Sequence, residues 1–102
     1  GKAYGYQLAV KHRYPEGELD QVDREMVRLF EKRMNLALEV AQYKTAHGMP
    51  VLDASREEQV LASRVAMLQS PAWTSQTRTL FQQLMALSRA AQEDWMKGAA
   101  ET

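Results

Sequence analysis

Two cations, Arg33 and Lys44, stand where a soluble helix ordinarily keeps none. They lie in or beside an apolar stripe made by Leu19, Val22, Met26, Leu29, Phe30, Leu36, Ala37 and Val40 at steps of three and four. Their separation of eleven residues is close to three helical turns, so both project from nearly the same side. Such a pair fits either of two readings: snorkelling from the margin of the seam, or an anion held between helices. Two further places have chemical character. Asp53-Ala54-Ser55-Arg56-Glu57 puts two carboxylates and a guanidinium at the start of a helix, where free backbone N–H groups attract anions. Ser88 and Gln92, one turn apart, flank an apolar seam and offer small polar groups to a pocket. Each has a plain structural reading when taken singly. Lone cations snorkel, Asp53 and Ser55 cap a helix, Arg56 and Glu57 are solvated, and Ser88 and Gln92 are ordinary at a helix boundary. His47, in a Gly/Pro loop, reads as exposed and idle.

The elements that must position these residues are helical. Residues 18–46 contain no Pro or Gly and read as one amphipathic helix, preceded by Pro15 in its first turn. His47-Gly48-Met49-Pro50 stops it, with Gly48 suited to a left-handed C-cap. Ser55-Arg56-Glu57-Glu58 reads as a capping box with Ser55 as N-cap, opening a short helix from Arg56 to Leu68 that offers Val60, Leu61, Val65 and Leu68 to a core. Gln69-Ser70-Pro71 breaks it. A third helix is expected from about residues 72–75 to Lys97, with a stripe of Leu80, Phe81, Leu84, Leu87, Ala91 and Trp95. Gly98 should end it, leaving 99–102 as a frayed tail. Residues 1–14 alternate in a strand-like period without a strand partner and read as an arm or tag-like extension, and 15–98 as the folded domain. The fold class expected is therefore all-α, with helices long, short, long. A 29-residue first helix spans about 44 Å, whereas a domain of this length has a radius of gyration of about 13 Å. Burying its stripe favours a homodimer whose long helices cover one another.

Composition excludes several classes. Thirteen Lys plus Arg balance thirteen Asp plus Glu, which argues against a partner held by bulk charge such as nucleic acid. No cysteine means no disulfide framework and no thiol chemistry. No apolar run approaches the roughly 20 residues of a membrane span, and residues 1–17 lack the apolar core of a signal peptide, so a cytoplasmic location is expected. No zinc-ligand spacing, phosphate-binding Gly-rich loop or nucleophile triad is present.

The wider pattern is more specific. It runs Leu19-Asp20-x-Val22-Asp23, Leu29-x4-Met34 around Arg33, Glu39-Val40-x3-Lys44, Gly48-x-Pro50-Val51, Asp53-x2-Arg56-Glu57, Leu80-Phe81-Gln82 and Leu87-Ser88-Arg89-x2-Gln92. In this order and spacing, from Leu19 to Trp95, the chain resembles the all-α (AroQ-class, type II) chorismate mutases. The resemblance implies three helices per chain in an intertwined homodimer with shared active sites. It implies a Claisen rearrangement of chorismate to prephenate, in phenylalanine and tyrosine biosynthesis, with no metal or other cofactor. Catalysis of that kind needs a compact substrate conformer and preorganised donors at the ether oxygen, where negative charge develops. The implied roles follow residue by residue. Arg33 grips a substrate carboxylate, and Lys44 sits between a carboxylate and the ether oxygen. Gln92 donates to that oxygen from the other side, and Glu57 accepts from the ring hydroxyl. Asp53 lends its backbone N–H, Arg56 adds positive potential, and Ser88 touches a carboxylate.

One position departs from the family. A further arginine is expected from the partner's first helix, seventeen residues before Arg33, where this chain has Glu16. Arg13 is the nearest replacement and Lys11 a weaker one. Two rival readings follow: isochorismate pyruvate lyase on the same fold, and a weakly active or regulatory mutase-like domain of a larger shikimate-pathway enzyme. Glu57, placed for a ring hydroxyl beside Arg56, favours the mutase over the lyase.

Overall fold

A computed structural model of the chain describes residues 14–101. Residues 1–13 of the expected arm, with Lys11 and the Arg13 replacement, lie outside the described residues. Three α-helices follow in order: α1 (Glu16–Ala46), α2 (Ala54–Ala66) and α3 (Thr74–Glu101), with a short 3-10 turn at Pro71–Trp73. Among the described residues there is no strand, and no helix is long and apolar enough to cross a membrane. The all-α class and the long, short, long order agree with the sequence reading. Chain contacts group the residues up to Lys32 in one compact unit and those from Arg33 onward in another.

In the first unit, α1 opens directly after Pro15, whose carbonyl accepts from the Leu19 N–H at 3.0 Å. Glu16 and Glu18 stand in the first turn, where exposed amide groups favour negative charge. Leu19, Val22, Met26 and Leu29 are all more than half exposed.

The second unit holds the rest of α1 with α2 and α3. The end of α1 is a Schellman motif. Gly48 takes φ +62°, the Met49 N–H bonds the Lys44 carbonyl at 2.8 Å, and the Gly48 N–H bonds that of Thr45 at 3.3 Å. A residue with a Cβ resists this backbone conformation, which is why glycine sits here. His47 is exposed, as expected, but not idle: its ring stacks on Tyr43 at 4.0 Å and Nδ1 lies 2.8 Å from the Tyr43 carbonyl.

The start of α2 corrects the sequence reading. Asp53, not Ser55, is the N-cap: its backbone is extended and its side chain accepts from the Arg56 N–H at 3.0 Å. Both residues can cap, but Asp53 adds a full negative charge at the positive end of the helix. The helix therefore starts two residues early, at Ala54, and ends at Ala66 rather than Leu68. Ser70 then caps the 3-10 turn, accepting from Ala72 N–H at 3.3 Å, with Pro71 at its first position.

The expected stop at Gly98 is also corrected, because α3 continues through it to Glu101. Glycine ends a helix by turning left-handed, and Gly98 has no positive φ. It costs about 1 kcal/mol in a helix, and the strong helix formers Ala99 and Ala100 follow it.

α3 packs back against α2 around Val60, Leu61 and Met85, with Phe81 against the cluster. Burying a side chain such as Leu61 contributes roughly 1.5–3 kcal/mol. Met85, absent from the expected stripe, is buried because it lies one turn after Phe81 on the face toward α2, whereas Leu80 and Leu87 are exposed. On α1, Ala37 and Ala41 are buried. The Ala37 carbonyl is within reach of a long polar side chain on α3, which donates to it.

Candidate active site

Two rungs of polar contact join α1 to α3. In the first, Arg33 donates from Nη1 to Ser88 Oγ at 2.7 Å and to the Leu84 carbonyl at 3.4 Å. One turn further along both helices, Gln92 donates from Nε2 to the Ala37 carbonyl at 2.9 Å. Each rung spans 55 residues of sequence, so neither is a product of local helix geometry. Among the described residues Ser88 and Gln92 are the buried polar side chains, and Gln92 is only 6% exposed. Burial lowers the pKa of Arg33 from its ordinary value, and the charge of Arg64 on α2 lowers it further. An arginine remains a cation at neutral pH all the same. Arg33 is therefore a partly desolvated cation facing a second cation, an arrangement that an incoming anion would relieve.

Lys44 lies in the last turn of α1 and donates from Nζ to the Val51 carbonyl at 2.7 Å. The Schellman turn brings the following segment back to that ammonium. As a result Lys44, Asp53 and Arg56 line one groove of about 480 Å³, together with Met49, Pro50, Leu52 and Ala54. The Asp53 carboxylate is engaged as the α2 cap.

Glu57 stands in the first turn of α2 and lines an adjoining groove of about 450 Å³, which shares Leu52 and Ala54 with the first. Its carboxylate is paired with Arg89 on α3. So the fold brings Lys44, Asp53 and Arg56 together, joins Arg33 to Ser88, and anchors Gln92 one turn from that pair. Glu57 faces the neighbouring groove.

Sequence reasoning gave no role to Arg64 or Arg89. A signal for Arg89 was present: Glu57 is one turn before Leu61, and Arg89 is one turn after Met85. Once α3 folds back along α2 to bring Leu61 and Met85 together, the two charges meet.

Comparison with known proteins adds a family. Residues 16–93 match the chorismate mutase type II model. Over 47 residues the chain is 40% identical to a T-protein of Haemophilus influenzae and 38% identical to one of Enterobacter agglomerans. Those stretches cover 46% of this chain but only 12% and 13% of the two relatives, so the chain spans a small part of their length. No solved structure matches. The family match begins at the first residue of α1 and ends within α3, so it takes in all three helices and every anchored polar residue described above. On that span the chain belongs to the chorismate mutase type II family.

Proposed function

We propose that this chain catalyses the rearrangement of chorismate to prephenate. The observation that carries the reading is the half-buried Arg33 bonded to Ser88, one turn from the buried Gln92. A dicarboxylate substrate with charge developing on an ether oxygen calls for donors of this kind, held away from water.

The donors are occupied by the protein but not exhausted. Lys44 has three N–H bonds and spends one on Val51; Gln92 has two and spends one on Ala37. The remaining hydrogens are available to the ether oxygen and a carboxylate. Arg33 takes the other carboxylate, assisted by Ser88. Arg56 raises the local positive potential, Asp53 adds its backbone N–H, and Glu57 accepts from the ring hydroxyl. Preorganisation lies in the fixed rungs: the donors hold position before the substrate arrives and need little reorganisation at the transition state. The chemistry is carried by the substrate's own bonds, with no covalent intermediate on the protein.

We further propose that the active form is a homodimer with shared sites. Support comes from apolar residues left well exposed among the described residues: on α1 Leu36 is 49% exposed and Val40 44%, and on α3 Leu87 is 48% exposed. A monomer leaving these in water forgoes roughly 25 cal/mol for each Å² of apolar surface.

The test is a chorismate-consumption assay on the purified chain, run beside isochorismate. Prephenate formation that disappears in Lys44→Ala supports the reading. Pyruvate release from isochorismate without prephenate formation from chorismate overturns it in favour of a lyase, and no turnover of either overturns catalysis altogether.

A further inference from the structure

Arg89 has no part in the roles proposed above, yet its Nη1 donates to both carboxylate oxygens of Glu57. The pair joins α2 to α3 across 32 residues of sequence. It is also well shielded: the two side chains are 30% and 25% exposed, against 61% and 58% for Arg28–Glu25 and 39% and 69% for Arg78–Glu58. The latter two pairs have the exposure at which ion pairs contribute little.

The consequence for Glu57 is orientational. A free carboxylate on the first turn of a helix samples several rotamers and a broad terminal torsion. With both oxygens on one guanidinium nitrogen, it is held in one of them. Each oxygen still keeps lone-pair capacity that Arg89 does not use, so the clamped carboxylate can accept a further hydroxyl. The clamp also has a rigid base. Glu57 is one turn from Leu61 and Arg89 one turn from Met85, and these two apolar residues are 4% and 7% exposed in the core. The same α3 turn carries Ser88 and Gln92, so this stretch holds polar groups of α1 and α2 alike.

We infer that Arg89 is a positioning residue, holding the Glu57 carboxylate in the orientation that receives the ring hydroxyl of chorismate. This rests on the substrate proposed above. It assigns Arg89 an effect on turnover that passes through Glu57 and not through the substrate directly.

A double-mutant cycle on the full chain, read by chorismate consumption and thermal unfolding, tests it. Arg89→Met should lower kcat/KM by about 10- to 100-fold, the scale of loss when a reacting group is misplaced. In a Glu57→Gln background the same change should cost less than about twofold, because no carboxylate is left to orient. Arg89→Lys, which restores the charge without the planar fork, should recover part of the loss. If Arg89→Met fails to fold, Arg89→Lys carries the test, with kcat/KM expected below wild type alone but unchanged from Glu57→Gln when combined with it. A purely structural ion pair would shift the melting temperature and leave kcat/KM of the folded protein alone, and that result overturns the inference. So do equal losses in both backgrounds. A wild-type chain that consumes no chorismate overturns the substrate reading, whereas wild-type turnover with additive losses overturns the role of Arg89 alone.

Discussion

Arg33 and Ser88 form a relay: the guanidinium donates to Ser88 Oγ at 2.7 Å, and the same hydroxyl donates onward to the Leu84 carbonyl at 2.8 Å. Ser88 thus keeps a partner whether or not Arg33 is present. The cation, by contrast, is held in a setting that burial and Arg64 make unfavourable for charge. Replacing it with an apolar side chain of similar length leaves no orphaned side-chain group and removes a desolvated charge. Arg33→Met should therefore melt no lower than wild type, and an upward shift of about 4–8 °C would correspond to about 1 kcal/mol. Chorismate turnover should fall by about 100-fold or more. Calorimetry beside the activity assay checks both, and a clear loss of stability would show that Arg33 is structural.

Lys44→Ala removes the Nζ bond to the Val51 carbonyl and the cation of the groove shared with Asp53 and Arg56. Turnover should drop by about 100-fold or more. Folding should survive, because the Schellman turn is made by backbone groups. Near-normal turnover in a folded Lys44→Ala protein would remove Lys44 from the mechanism.

Gln92→Glu reverses a donor at a site only 6% exposed, opposite the Ala37 carbonyl. An ionised carboxylate there would face a carbonyl oxygen and repel charge developing on the substrate. The protonated acid can still donate. The variant should be active mainly at acidic pH, against a flatter wild-type profile. Burial raises the pKa of such a carboxyl above the unfolded value of about 4.3. In that window the native state binds more protons than the unfolded one, so stability should decline as pH rises through it. A pH series of unfolding midpoints and rates tests both, and a flat activity profile for the variant would count against the role.

Asp53→Ala should destabilise by about 1 kcal/mol through loss of the α2 cap, whereas Ser55→Ala, inside the helix, should change stability by less than about 0.5 kcal/mol. Denaturant midpoints for the two variants separate the cases, and the reverse order would restore Ser55 as the cap.

Association is predicted to hide Leu36 and Val40, which are 49% and 44% exposed in the single chain. Sedimentation should give twice the chain mass of 11.6 kDa. Leu36→Glu combined with Val40→Glu should yield monomers with little turnover. A fully active monomeric double variant would refute shared sites.

The ends of the helices show where sequence reading stops. Gly48 was legible because the next residues are Met49-Pro50, which cannot continue the helix, and a left-handed glycine is the common way to end before them. Gly98 carried the same local signal, but Ala99 and Ala100 let α3 run on to Glu101. Asp53 and Ser55 are both good N-caps with suitable partners downstream. Glu58, three residues after Ser55, made Ser55 look like the cap, and the full charge of Asp53 at the positive end of the helix outweighed that pattern.

By itself the sequence determined three helices, the order of polar and apolar residues along them, and the family. Hydrophobic period and capping chemistry act over one or two turns and so are written locally. Which polar side chains meet was decided only in three dimensions. Arg33 reaches Ser88 and Gln92 reaches Ala37 across 55 residues each, and Glu57 reaches Arg89 across 32. Those pairings depend on how α3 turns back along α2 around Leu61 and Met85 and on how it lies beside the second half of α1. No local signal along the chain encodes either placement.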